Sequence, residues 1–236
     1  MIAIVAVIVV LLGYILPMVF SFEGKESKNK GLQQIDDRYI NVLYSYLPED
    51  NYYKTYNNYN EYYTEKNNLS KQVLMTMVYN YIVTSDRFKL LTLDESEQST
   101  GALYKISLID MKKAYNTVFY VDDFQAVDFE YNNIKGVVKD EYMYIYNNDK
   151  TEEYVNYKNI DSYALANNGD EIIIYDYYIK CSKTDNVCYN DGNMTVANNR
   201  INDINNINEK FLVKYKHKFK FDNYSYYWFS SEAVVD

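Results

Sequence analysis

From Phe211 to Phe221 the chain alternates: Phe211, Val213, Tyr215, His217, Phe219 and Phe221 fall on one face, and Lys214, Lys216, Lys218 and Lys220 on the other. A period of two belongs to an extended strand with one buried and one solvated face, so this segment needs a sheet to sit in. Same-face residues stand about 6.7 Å apart, which turns the four ammonium groups into a cationic stripe. The stripe has a functional reading, as a contact for an anionic polymer, a lipid headgroup or an acidic partner. It also has a plain one, as a solvated face whose lysines pair with acidic neighbours or guard an edge strand. The net charge of −9 over 236 residues favours the plain reading.

The same period recurs from Phe124 to Tyr131, Asp140 to Tyr146, Ser162 to Ala166 and Glu171 to Cys181, with turns marked by Asn147-Asn148-Asp149, Asn167-Asn168-Gly169-Asp170 and Asp222-Asn223. Upstream the spacing is helical. Ile35, Tyr39, Val42, Leu43 and Tyr46 predict a helix within Leu32 to Leu47, closed by Pro48. Ser70 is placed to cap a second helix reaching Thr84, and Ser107 with Asp110 has capping-box spacing before Leu108, Met111, Tyr115, Val118 and Phe119. Residues 49–68, 94–101 and 190–210 read as loops. Helices followed by five to seven antiparallel strands predict an α+β domain in which a curved sheet packs on helices.

Ile2 to Phe22 carries no charge and is interrupted only by Gly13, Pro17 and Ser21, which is the length and character of a membrane-spanning helix. No basic leader and no small-residue cleavage site accompany it, so it reads as an anchor rather than a cleaved signal. The expected organisation is an anchor at 1–22, a polar linker at 23–31, a juxtamembrane helix with a Tyr/Asn-rich loop at 32–69, and the α+β domain at 70–236. Lys25, Lys28, Lys30 and Arg38 follow the run closely and favour a cytoplasmic domain. Cys181 and Cys188 pull the other way. Flanking six residues at the end of a β segment, they have the spacing of a hairpin disulfide, a bond of oxidising compartments. The extracytoplasmic orientation is the favoured one, at the cell membrane with a single pass.

Composition excludes several function classes. An acidic chain without a basic block is a poor nucleic-acid ligand. Two Cys and one His do not build a four-ligand zinc site, and neither Asn168-Gly169 nor Asp191-Gly192 stands in a calcium-loop pattern, so no metal and no cofactor are expected. His217 lies on an apolar face and there is no nucleophile elbow, so no catalytic residue is assigned. The doubled acids Asp36-Asp37 and Asp122-Asp123 read as helix-end and solvated groups. Of 30 tyrosines, Tyr142, Tyr144 and Tyr146 share one strand face, and Tyr224, Tyr226 and Trp228 another. Aromatic ladders of this kind bind sugars, peptides or proteins when exposed, and fill half-buried sheet positions otherwise.

The final stretch FLVKYKHKFKFDNYSYYWFSS resembles the closing hairpin of cystatin-like and NTF2-like domains. SLIDMKKAYNTVF, at 107–119, resembles the helix before the sheet in membrane-anchored proteins of AT-rich Gram-positive bacteria. The resemblance spans residues 70–236 and implies a fold, not an activity. The functional expectation is a non-enzymatic, membrane-anchored, extracytoplasmic binding domain. Its ligand would be an envelope polymer, a peptide or a membrane protein, met through Lys214, Lys216, Lys218, Lys220, Tyr142, Tyr144 and Tyr146. The alternative is an accessory subunit of a membrane complex, held by its span and its juxtamembrane helix.

Overall fold

The computed structural model describes residues 35–45, 47, 63–131, 133–148, 154–182, 184, 187–189, 196–200 and 213–234. The run Ile2 to Phe22, the linker 23–31, most of the Tyr/Asn-rich loop and most of 190–210 lie outside them. Among the described residues no helix is long and apolar enough to cross a membrane.

The domain is α+β and contains two antiparallel sheets rather than the single sheet expected. Helices α1 (Asp37–Ser45), α2 (Lys71–Thr84), α3 (Glu95–Gln98) and α4 (Leu108–Phe119) accompany strands β1 (Tyr63–Glu65), β2 (Tyr104–Ser107), β3 (Phe129–Tyr131), β4 (Ile134–Lys139), β5 (Tyr142–Asn147), β6 (Tyr154–Ala166), β7 (Glu171–Ser182), β8 (Val187–Tyr189), β9 (Val196–Arg200), β10 (Val213–Phe221) and β11 (Tyr226–Ala233). The larger sheet runs β1-β11-β10-β7-β8-β9, with β6 also paired to β7. The smaller runs β2-β5-β4-β3.

Three of the helices link the sheets: α1 and α4 pack on β11, α4 also on β2, and α2 on β3. Eight residues of α2 are buried, Leu74, Met77, Val78 and Ile82 among them. A helix apolar nearly all round needs covering on every side, and α2 packs against α1, α4 and β3. Its start is fixed by the Ser70 side chain, which accepts a hydrogen bond from the Val73 amide. α4 begins in the same way, with Ser107 accepting from the Asp110 amide, and ends on Tyr120 in the left-handed region at φ 54°. It then packs on β11, where Phe119 meets Trp228 edge-on at 6.2 Å. Ser107→Ala is expected to cost about 1 kcal/mol in denaturant unfolding, as loss of an N-cap does. Retention of full stability would show that packing alone positions this helix.

Four departures from the sequence reading have local causes. Phe124 to Asp128 is not strand, because the Asp128 carboxylate accepts the Val138 amide at 2.8 Å, standing in for a strand carbonyl at the end of the ladder. Residues 94–101 are not all loop, since Asp94 and Glu97 close a reciprocal capping box that winds α3. β1, inside the segment read as a surface loop, pairs with β11, and both it and α1 belong to the compact unit Gln34–Asp236. β10 is flanked by β11 on one side and β7 on the other, so its lysines do not guard an edge.

Candidate functional site

The parity of β10 sorts the large sheet into two faces. Inward lie Ile172, Ile174, Tyr215, Phe219, Tyr226 and Trp228, all buried. Two polar residues share that face. His217 is 1% exposed and Asp176 is fully buried, and they form the centre of a polar chain inside the core. Nδ1 of His217 lies 2.7 Å from the Ser231 hydroxyl, and that oxygen also accepts from the Trp228 indole at 3.0 Å. Nε2 of His217 lies 3.0 Å from Oδ1 of Asp176, a close contact that is skewed from a well-directed hydrogen bond. The other carboxylate oxygen accepts from the Tyr44 hydroxyl on α1 at 2.7 Å.

One proton arrangement uses every donor of this chain. The indole can only donate to Ser231, leaving the serine proton for Nδ1 of His217 and the ring proton on Nε2, facing Asp176. The residue types are those of a hydrolytic triad, but Ser231 is itself fully buried, so no substrate carbonyl reaches it in this conformation. Asp176 was legible as inward-facing from strand parity, keeping step with Ile172 and Ile174, whereas Ser231 is out of step with Tyr226 and Trp228 and turns inward only past the bulge opposite Lys218 and Phe219. Their convergence on His217 was not legible, since it depends on the register that sets His217 opposite both Ile174 and Ser231.

The outward face carries the lysine stripe, and each lysine has a local partner. Lys214 contacts Asp161 at 2.8 Å and lies over the rings of Tyr175 and Tyr177. Lys216 contacts Glu232 at 2.7 Å, Lys218 approaches Glu171 at 4.0 Å, and Lys220 sits 3.3 Å above the Phe229 ring. The hydrogen bond that Lys214 donates to Asp161 raises it above the usual lysine range, and the one that Lys216 donates to Glu232 does the same for Lys216. The stripe is therefore an aromatic-floored surface in which Lys214, Lys216 and Lys218 face carboxylates and Lys220 lies on a ring, rather than a free polycation.

Tyr142, Tyr144 and Tyr146 lie on one face of β5 in the other sheet, away from the lysines. They are not an open ladder, because Tyr144 is 7% exposed. Its hydroxyl donates to Glu97 at 2.5 Å, while Lys105 reaches both Glu97 oxygens at 2.5 and 2.6 Å and lies over the Tyr142 ring. Held by Lys105 first, then by Tyr144 and the Asp94 amide, Glu97 drops to about 2. A folded-state value below the ordinary one of 4.5 stabilises the fold above that value, and the stabilisation is lost as pH falls toward 2. Between about pH 5 and about pH 3, Glu97→Gln is expected to lose less stability than the parent in denaturant unfolding. Equal losses would contradict the account of this cluster.

Tyr224 is 85% exposed at the β10–β11 turn, whereas Tyr226 and Trp228 are buried. That turn is made by the Asp222 carboxylate, which accepts from the amides of Tyr224 and Ser225, and by Asn223 at φ 83°. In a cleft of about 220 Å³ between Lys66, Leu74, Tyr115 and Asp123, Asp123 takes both Lys66 at 2.5 Å and the Tyr115 hydroxyl at 3.0 Å, and Lys71 donates to the Gln125 amide oxygen. Cys181 stands directly opposite Cys188 in the β7–β8 register. Their side chains lie outside the described structure. Among the described residues no group of three or more His, Cys, Asp or Glu could hold a metal ion. No family model, no curated protein and no solved structure matches the chain.

Proposed function

We propose that the chain is a non-enzymatic binding domain, anchored to the cell membrane in a single pass by Ile2 to Phe22 and carried outside it. The outward face of the large sheet is its contact surface. The observation that supports this most is the make-up of that face. Tyr175, Tyr177 and Phe229 alternate with lysines, of which Lys214 and Lys216 are paired with carboxylates on the sheet. Rigid aromatic surface among mostly paired cations suits a peptide, a sugar-bearing envelope polymer or a membrane protein, and offers little to a nucleic acid. On the fold, the large sheet packed on helices is the cystatin-like or NTF2-like part, and the four-stranded sheet is an addition to it.

Crosslinking in cells tests the surface. A photo-reactive residue at Tyr177 is expected to capture a partner, while one at Ile109, which is 69% exposed on α4, captures none. Adducts of equal yield from both positions, or none from Tyr177, would remove the support for this face.

The register also favours a Cys181–Cys188 disulfide within this reading. Residues directly opposite in an antiparallel pair have α-carbons about 4.5–5.5 Å apart, inside the range a disulfide spans. Closing so short a loop contributes about 2.5 kcal/mol in the chain-entropy account. The accessory-subunit alternative loses part of its basis, because Ile40 and Leu43 of α1 are buried against this domain's own core. Replacing residues 2–22 by an unrelated poly-Leu helix separates the two: a binding domain keeps its partner, a subunit held by its span loses it.

A further inference from the structure

A second cleft, of about 180 Å³, opens where α1, the end of α2 and the β10–β11 turn meet, and it gathers two of the chain's three arginines. Arg38 comes from α1 and Arg87 from the turn after α2, so the convergence is tertiary. Asp86 pairs with Arg38. Arg87 has no acidic partner among the described residues, and its backbone amide is anchored on the Ser85 hydroxyl at 3.1 Å. A cation beside the carbonyl end of a helix is favourable in itself, which accounts for the place of Arg87 but leaves its guanidinium without a carboxylate among the described residues.

The hydroxyls of the same cleft point to what it holds. The Tyr39 oxygen accepts from the Tyr226 amide at 3.2 Å, and among the described residues its own proton has no acceptor. The protons of the Ser85 and Ser225 hydroxyls have none either. Burial raises Tyr39 above its usual range, with the charge of Arg87 pulling the other way, as expected of a phenol and a guanidinium that share one space. Of the other carboxylates nearby, Asp222 is committed to the turn amides and Asp36 accepts the Arg38 amide. The cleft therefore has a surplus of donors, the Arg87 guanidinium without a described carboxylate and Arg38 shared with Asp86, on a chain whose net charge repels anions elsewhere.

We infer that this cleft binds a small oxyanion, a phosphate or carboxylate group, with Arg87 as the principal ligand, Arg38 as the second, and the Tyr39 and Ser225 hydroxyls completing the shell. Planar guanidinium groups give such anions two parallel charge-assisted bonds each. The site lies apart from the outward sheet face and stands whether or not that face binds a partner.

Only three arginines are present, so their side chains can be read one by one. The full chain in detergent, labelled with ¹⁵N at arginine, would be titrated with sodium phosphate and, in parallel, with sodium acetate, each against sodium chloride at matched ionic strength. The inference predicts saturable movement of the Arg87 and Arg38 Nε signals with one or both oxyanions and none with chloride, while Arg200 on β9 stays still. The tighter of the two anions names the source. Arg87→Lys, which keeps the charge and removes the fork, is expected to weaken binding by about fivefold or more. Parallel, unsaturated drift of all three signals, an Arg87 signal that does not move, or an Arg87→Lys variant that binds as the parent does would overturn it.

Discussion

Asp176→Ala is expected to cost the domain about 2–5 kcal/mol, because it removes the acceptor of two buried donors at about 1–3 kcal/mol each. Two groups are stranded at once. The Tyr44 hydroxyl loses the acceptor that ties α1 to β7, and Nε2 of His217 is left facing an empty space in a residue that is 1% exposed. Asp176→Asn keeps the shape and one acceptor, and is expected to lose distinctly less. Denaturant midpoints of the three chains check the order. A loss below about 1 kcal/mol in Asp176→Ala would mean that water enters and satisfies both groups, and that the polar chain is not what fixes α1 on the sheet. Ser231→Ala supplies an independent readout. In a structural network it lowers stability and changes no chemistry, whereas loss of a hydrolytic turnover with the fold intact would make the triad-like residues catalytic.

The second large effect lies in the small sheet. Gly136 on β4 faces Phe129 on β3 and Ile145 on β5. A methyl group added there would run into the Phe129 ring and come within 2.9 Å of the Met143 sulfur. Two effects of opposite sign compete in Gly136→Ala. Lower entropy of the unfolded chain favours the variant by about 0.4–1 kcal/mol, and overpacking a filled core opposes it by about 1–3 kcal/mol. Phe129 is 1% exposed and Met143 is fully buried, so neither can swing into solvent, and the clash wins. Gly136→Ala should therefore destabilise by about 1–2 kcal/mol net. Phe129→Leu introduced with it should recover part of that, because the pair is in contact and the costs do not add. A stabilised Gly136→Ala, or strict additivity, would show that the ring is not seated over the glycine.

What was legible in the sequence divides along the range of the interactions. Ser70 and Ser107 mark helix starts because a cap is a contact between residues three apart. The β10 lysines mark a strand because parity is a local property. Partners were not readable in the same way. Nothing near Lys216 in the chain names Glu232, and Lys214 meets Asp161 across an intervening strand, since β10 pairs with β7 and β7 with β6. The second sheet was missed for a related reason. Ile134 to Lys139 contains a glycine that breaks the apolar alternation, and that glycine makes sense only once Phe129 is seen lying on it. The tyrosines of β5 allowed two readings, an exposed ladder or half-buried sheet positions, and only the roofing of Tyr144 by α3 through Glu97 decides for the second. The arginine cleft left no local signal, because Arg38 and Arg87 lie on separate elements and only the packing of α1 on α2 brings them to one mouth.

The account's central claim, a disulfide-closed domain held outside the membrane by Ile2 to Phe22, is tested most directly at Cys181 and Cys188. Intact cells would be treated with a membrane-impermeant thiol reagent, with and without prior reduction, beside lysed cells treated in the same way. The account predicts labelling of intact cells only after reduction. Labelling that requires lysis and needs no reductant would contradict it, placing two free thiols and the whole domain on the cytoplasmic side.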